Sequence, residues 1–137
     1  MPVNEPTNFP TVPIKDVPFV GALAGEAPYR PLVLVVDEES ASADSLVEIL
    51  TQNGFAAVAA YDGPSAIETA QIIPPELLIA DAELSGMNGV EVANTVKSAV
   101  PDCKVVLFSG QASAAELLAQ ASESLKARLV QVGESAG

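Results

Sequence analysis

Short apolar segments alternate with longer amphipathic segments throughout the chain beyond its first 30 residues. The first apolar segment, Leu32–Val36, is continuous, which is typical of a strand buried on both faces of a sheet. A helical pattern follows, in which Ser40 or Ser42 is expected to cap the helix. Asn53 and Gly54 are expected to end it. This part of the chain therefore predicts one β-α unit.

The same alternation continues to the end of the chain. Further strands are predicted over residues 55–60, 77–80, 103–108 and 128–132, and further helices over residues 64–72, 89–99 and 112–122. Strands that alternate with helices favour a parallel sheet, because parallel neighbours need long, right-handed connections. We therefore predict an α/β fold, with a doubly wound parallel sheet of five strands and helices on both faces.

The first 30 residues have a different composition. Seven of the eleven prolines fall within the first 31 residues, and proline removes a backbone donor and disfavours helix in the preceding residue. Residues 1–30 are therefore expected to form a disordered, proline-rich arm, and residues 31–137 a single domain. Residues 9–20 could instead serve as a docking peptide, but a plain tail is the preferred interpretation.

Composition narrows the possible functions. The chain has 137 residues, 49% of them hydrophobic, and a mean hydropathy of +0.34, so one substantial core is expected. Its net charge of −12 would repel a nucleic-acid backbone, which argues against direct nucleic-acid binding. With one cysteine and no histidine, the chain can form neither an internal disulfide nor a Ser-His triad. No signal peptide or membrane-spanning segment is recognisable, so a cytoplasmic protein is expected.

Polar residues follow three of the predicted strands at their carboxyl ends, where open parallel sheets bind ligands. Asp37 and Glu38 follow the first strand, Asp81 and Glu83 the third, and Ser109 the fourth. Carboxylate oxygens without histidine or cysteine favour Mg²⁺. The pattern predicts an acidic Mg²⁺ pocket suited to phosphoryl transfer, with the nucleophilic oxygen on Asp81. The alternative for each residue is a plain helix cap or turn.

Four strings of sequence resemble the receiver domain of bacterial two-component response regulators, which has a flavodoxin-like (CheY-like) fold. Residues 34–38 (LVVDE) resemble its first strand with the acidic pair, and residues 77–81 (LLIAD) the strand that ends in the phosphoacceptor aspartate. Residues 82–89 (AELSGMNG) follow the family's loop, with Ser85 where proline is usual. Residues 105–110 (VVLFSG) resemble the fourth strand with its switch hydroxyl.

The resemblance implies a set of roles. Asp37, Glu38 and Asp81 would hold Mg²⁺ together with the backbone carbonyl of Glu83. A sensor histidine kinase or a phosphotransfer protein would donate the phosphoryl group to Asp81. Ser109 would then hydrogen-bond the phosphate and move its loop, changing the surface offered to a partner.

The resemblance weakens toward the carboxyl terminus. The family has a lysine after its fifth strand, where this chain has Gln131 or Val132, and Leu129 lies near the place of the usual aromatic residue. The chain also ends too early for the family's last helix. A missing helix would leave apolar sheet surface uncovered, so dimerisation or marginal stability is expected.

Three functions follow in order of preference. The first is a non-enzymatic phosphoacceptor receiver without its own output domain. The second is a phosphorylation-insensitive pseudo-receiver that acts as a protein-interaction module. The third is a small Mg²⁺-dependent phosphatase or related hydrolase, which ranks last because the sequence offers no substrate-binding cap.

Overall fold

Residues 29–110 and 112–126 are described by a computed structural model. All four predicted helices are present there, as are the first four predicted strands. The elements are β1 (Leu32–Val36), α1 (Ser40–Gln52), β2 (Ala56–Ala60), α2 (Gly63–Ile72), β3 (Leu77–Asp81), α3 (Gly89–Ala99), β4 (Lys104–Phe108) and α4 (Ala114–Ser124). The predicted fifth strand, residues 128–132, lies outside the described residues.

The four strands form one parallel sheet in the order β2-β1-β3-β4. The central strands β1 and β3 are buried along nearly their whole length, which explains why their sequences are continuously apolar. In the pairing register, Val36 lies opposite Ala80 and Asp81 lies opposite Phe108. The carboxyl ends of β1, β3 and β4 therefore meet at one edge of the sheet.

Each face of the sheet carries one hydrophobic core. On one face α1 and α4 pack against the sheet, and on the other face α2 and α3 pack against it. The helix residues of the first core are Ala43, Leu46 and Leu50 from α1 with Leu117 and Ala121 from α4, and Leu125 follows α4. The prediction of a doubly wound sheet covered on both faces is confirmed.

The position of α4 differs from what handedness predicts. A right-handed connection from β4 to a further parallel strand would place its helix beside α3, because the β3-α3-β4 connection runs in that direction. Instead α4 lies beside α1. On the α3 side of β4, Leu107 is 39% exposed.

Helix ends follow local side-chain chemistry. The expected cap of α1 by Ser40 or Ser42 was wrong, because the helix begins after Glu39 and the Ser42 hydroxyl donates to the Glu39 carboxylate. The end of α1 at Asn53 was predicted. Helix α4 begins two residues later than predicted, since Ser113 caps it in a capping box with Glu116.

The described residues begin with two that contact the domain. The Tyr29 hydroxyl donates to the carboxylate of Glu76, and the Arg30 guanidinium donates to the carbonyls of Thr51 and Phe55. Residues 1–28 of the predicted arm lie outside the described residues. Within the described ranges, no helix has the length and apolarity that a bilayer crossing requires.

Candidate functional site

Two of the predicted acidic residues lie side by side at the carboxyl edge of the sheet. Asp37 directly follows Val36 of β1, and Asp81 follows Ala80 at the end of the neighbouring strand β3. Both carboxylates are half-buried. The parallel register thus brings together two residues that are separated by more than 40 positions in the sequence.

Each of these aspartates closes a short turn. The backbone N–H of Glu39 donates to Oδ1 of Asp37 at 3.0 Å, and the N–H of Glu83 donates to Oδ1 of Asp81 at 2.9 Å. Within residues 29–110 and 112–126, no donor forms a hydrogen bond with Oδ2 of either aspartate. Each carboxylate therefore keeps one oxygen without a hydrogen bond from the described residues.

The electrostatics of the pair are unfavourable for two negative charges. Burial raises the pKa of the Asp37 carboxyl above its ordinary value, and the backbone N–H of Glu39 opposes that rise. The charges of Asp81, Glu39 and Glu38 raise this pKa further. The site therefore destabilises the ionised form of Asp37, which is the form that a bound cation would stabilise.

A cleft of about 590 Å³ opens beside the two aspartates. Asp37 and Asp81 line it, together with apolar side chains from the sheet and from α4 such as Phe108 and Leu117. Ser42, in the first turn of α1, also lines it. The cleft is large enough to admit a small anionic group next to the carboxylates.

Glu38, the third predicted acidic ligand, does not line this cleft. Its carboxylate accepts two hydrogen bonds from Ser85 in the loop after β3, one from the backbone N–H and one from Oγ at 3.1 Å. In the described part of the chain, no three carboxylate, histidine or cysteine side chains are grouped closely enough to hold a metal ion. The structure therefore joins Asp37 to Asp81 but holds Glu38 apart.

The remaining predicted residues lie at the same edge. Ser109 is exposed and directly follows Phe108, the register partner of Asp81. The N–H of Ala82 donates to the Phe108 carbonyl at 2.8 Å, which ties the loop after β3 to the end of β4. Glu83 is exposed in that loop, and no donor among the described residues reaches its carbonyl oxygen.

Gly89 is a supporting residue whose role the sequence analysis missed. A Cβ at this position would lie 2.3 Å from the Asp81 carbonyl oxygen and 2.7 Å from Cα of Ala82. The start of α3 thus presses directly on the backbone of Asp81. The only signal in the sequence is a glycine that follows Asn88, the capping residue of α3.

An open parallel sheet with helices on both faces and an acidic pair at its carboxyl edge belongs to the doubly wound α/β class. The family model of the response regulator receiver domain matches residues 33–130. The chain therefore belongs to the response regulator receiver family.

Solved structures agree on the fold. A two component transcriptional regulator AraC from Clostridium phytofermentans ISDg superposes with a TM-score of 0.66 at 24% identity, covering 76% of this chain and 98% of that chain. A CheY-like response regulator receiver domain protein from Methanospirillum hungatei JF-1 gives a TM-score of 0.63 at 19% identity, covering 78% and 99%. The flavodoxin-like architecture predicted from the sequence is confirmed.

Two curated relatives are response regulators from mycobacteria. Response regulator MprA of Mycobacterium ulcerans (strain Agy99) is 30% identical over 87 residues, which are 64% of this chain and 38% of that protein. DNA-binding response regulator MtrA of Mycobacterium leprae (strain TN) is 32% identical over 69 residues, which are 50% and 31%. The chain thus spans about a third of the length of these relatives.

Family membership assigns the chain to two-component signalling. Response regulators interact with sensor kinases, and their receiver domains are generally Mg²⁺-dependent and generally not enzymes.

Proposed function

We propose that this chain is a receiver that accepts a phosphoryl group on Asp81 in a Mg²⁺-dependent reaction. The donor is a phosphohistidine on a sensor histidine kinase or on a phosphotransfer protein in the cytoplasm. The receiver domain comprises residues 31–137, and residues 1–30 precede it in the chain. The chain acts as a phosphoacceptor and not as an enzyme with a substrate of its own.

The observation that carries the proposal is the pair formed by Asp37 and Asp81. Their backbone turns leave one oxygen of each carboxylate without a hydrogen bond from the described residues, beside an open cleft. Carboxylates that cap a helix use their oxygens to accept helix N–H groups. Free carboxylate oxygens beside a cleft instead suit the binding of a cation and an incoming phosphate. Neither Asp37 nor Asp81 caps a helix.

These residues fit a hard divalent cation. Asp37, Asp81 and the backbone carbonyl of Glu83 offer only oxygen, and Glu38 offers a further carboxylate nearby. When bound, Mg²⁺ supplies positive charge that offsets the carboxylates and the charge developing on the phosphoryl oxygens. The raised pKa of Asp37 supports this assignment: burial is its main cause and the neighbouring carboxylates add to it, and a bound cation would offset both effects.

Asp81 carries the chemical step. One of its carboxylate oxygens attacks phosphorus, so an O–P bond forms while the P–N bond to the donor histidine breaks. The electron pair of the broken bond returns to the imidazole, which takes a proton from water. The product is an acyl phosphate on Asp81. Ser109, at the end of the adjacent strand, donates its hydroxyl to the phosphate and carries the change to the surface after β4.

The output of this receiver is a protein contact. The net charge of −12 disfavours direct binding to nucleic acid, although MtrA, of which this chain matches a part, is named as DNA-binding. The exposed Leu107 on the α3 side of β4 offers apolar surface that a second copy or another protein could cover. We therefore also expect that the chain can form a homodimer through this surface.

A pseudo-receiver that does not switch on phosphorylation is the second candidate. One observation favours it: among the described residues, no basic side chain forms an ion pair with Asp81. Ala114, the first residue of α4, lines the cleft, and Lys126 comes twelve residues later in the chain. Twelve residues of helix span about 18 Å, so Lys126 lies far from the cleft end of α4. If no basic side chain reaches the site, as is the case among the described residues, the switch loses a charge-assisted contact to phosphate.

Intact-mass analysis separates the two candidates. The protein is incubated with acetyl phosphate and Mg²⁺, and the same reaction is run with excess EDTA and with Asp81→Asn. A receiver gains the mass of one phosphoryl group only in the wild type with Mg²⁺. Folded wild-type protein that gains no mass would overturn the phosphoacceptor proposal and leave the pseudo-receiver.

A further inference from the structure

We infer that Ser85 holds Glu38 outside the Asp37–Asp81 pair and thereby weakens Mg²⁺ binding at this site. The inference rests on the proposed function, because it concerns the cation that the phosphoacceptor site uses. It adds a regulatory role for Ser85, a residue outside the predicted ligand set.

The Glu38 carboxylate is already hydrogen-bonded within the protein. Its Oε2 accepts the backbone N–H of Ser85, and its Oε1 accepts the Ser85 hydroxyl at 3.1 Å. Both oxygens are therefore engaged by one residue that lies 47 positions away in the sequence. Each oxygen keeps a further lone pair, so a cation is not excluded by the count of hydrogen bonds; the two bonds act by fixing the position of the Glu38 side chain.

These hydrogen bonds keep the Glu38 side chain out of the cleft beside the two aspartates. The cleft beside the aspartates is lined by Asp37, Glu39 and Asp81 but not by Glu38. Among the described residues no three acidic side chains come together as a metal-holding group. The third carboxylate is thus adjacent to the pair in sequence but held away from it by Ser85.

The loop that carries Ser85 is rigid. Leu84 is buried, the N–H of Ala82 is held by the Phe108 carbonyl, and the N–H of Gly89 is held by the Ala82 carbonyl. The loop therefore cannot simply follow Glu38 toward the aspartates. When Glu38 turns toward a cation, its hydrogen bonds to Ser85 break.

The donors depend on the residue type at position 85. Proline, the residue that the family usually has here, carries neither an N–H nor a hydroxyl and could make neither hydrogen bond. Alanine keeps the N–H and loses the hydroxyl. The substitutions Ser85→Ala and Ser85→Pro therefore remove one donor and both donors, respectively.

Mg²⁺ titration by calorimetry, without any phosphodonor, tests the inference on the full chain. We expect the dissociation constant for Mg²⁺ to fall about 3-fold in Ser85→Ala, which removes one hydrogen bond to Glu38, and about 10-fold in Ser85→Pro, which removes both. The expected changes are modest because both hydrogen bonds are exposed to solvent. Ser98→Ala is the matched control, since its Oγ donates to the Asn94 carbonyl at the same 3.1 Å but lies in α3. This control should bind like the wild type.

Amide resonances give a second readout that needs no activity. In the wild type, the Ser85 amide proton should move upfield as Mg²⁺ is added, because Glu38 leaves it. Wild-type affinity or weaker binding in folded Ser85→Ala would overturn the inference, whether or not Ser85→Pro folds. An unmoved Ser85 amide at saturating Mg²⁺ would do the same.

The phosphorylation assay distinguishes this inference from the proposed function. If Ser85→Ala binds Mg²⁺ more tightly but neither protein gains a phosphoryl group, the role of Ser85 stands and the proposed function fails. If both proteins are phosphorylated with the same Mg²⁺ dependence, the function stands and the role of Ser85 fails. If neither protein binds Mg²⁺, both are wrong.

Discussion

Replacing Gly89 with alanine tests how tightly the start of α3 presses on the phosphoacceptor strand. The added Cβ would lie 2.3 Å from the Asp81 carbonyl oxygen, whereas ordinary contacts begin at 3.4 Å, so the two backbones must separate by about 1.1 Å. The neighbouring contacts, to Ala82 Cα at 2.7 Å and to the Asp81 carbonyl carbon at 2.9 Å, are also with backbone. No flexible side chain can absorb the displacement.

The helix cannot easily retreat. Asn88 and Glu91 form a capping box at the start of α3, and the Gly89 N–H donates to the Ala82 carbonyl at 3.1 Å. Overpacking of this kind costs about 1–3 kcal/mol, and a disturbed cap adds about 1 kcal/mol. We therefore expect Gly89→Ala to lower the free energy of unfolding by about 3 kcal/mol. Helix propensity alone predicts the opposite sign, a gain of about 0.5–1 kcal/mol.

Gly86→Ala is the matched control in the same loop. Gly86 has a φ of +75° but no atom within 4 Å of its would-be Cβ, so only backbone strain opposes the substitution. That strain is about 1–2 kcal/mol, partly offset by the lower entropy of the unfolded chain. Urea unfolding followed by far-UV circular dichroism measures both variants. The close approach is refuted if Gly89→Ala destabilises the protein no more than Gly86→Ala.

Three further predictions follow from burial and charge. Asp37→Asn should stabilise the metal-free protein at neutral pH by about 0.5 kcal/mol, a value that allows for solvent screening. Because the folded-state pKa of Asp37 is raised, this gain in stability should shrink as the pH falls through that pKa toward the ordinary value. A gain that stays constant from pH 7 to pH 3 in urea unfolding would contradict the prediction. Burial raises the pKa of the Cys103 thiol to about 11 from 9.0, so labelling by a disulfide reagent at pH 8 should be at least about 100-fold slower in the folded than in the unfolded protein, and equal rates would refute its burial. Leu117→Ala should cost about 2–4 kcal/mol in the same unfolding assay, and a loss below about 1 kcal/mol would contradict the packing of α4 against α1.

Much of the fold could be predicted because its signals are local. The continuous apolar runs of β1 and β3 reflect burial on both faces, and the helical patterns between them locate the connections. The site followed from topology, since polar residues after parallel strands must meet at one edge. Asp37 and Asp81 are together for that reason alone.

Other features depend on information that the pattern does not contain. The apolar stripe of α4, with Leu117 and Ala121, shows that the helix has a buried face but not which face of the sheet it covers. The contact between Glu38 and Ser85 depends on a side-chain conformation and joins residues 47 positions apart. Gly89 reads as a plain helix start until its distance to Asp81 is measured.

Residue-level mapping of the phosphoryl group tests the central claim most directly. The chain is incubated with acetyl phosphate and Mg²⁺, the acyl phosphate is reduced with borohydride, and peptides are sequenced by mass spectrometry. We expect that only Asp81 is converted to homoserine and that excess EDTA abolishes the conversion. Conversion at another carboxylate, or none at Asp81 in folded protein, would contradict the claim.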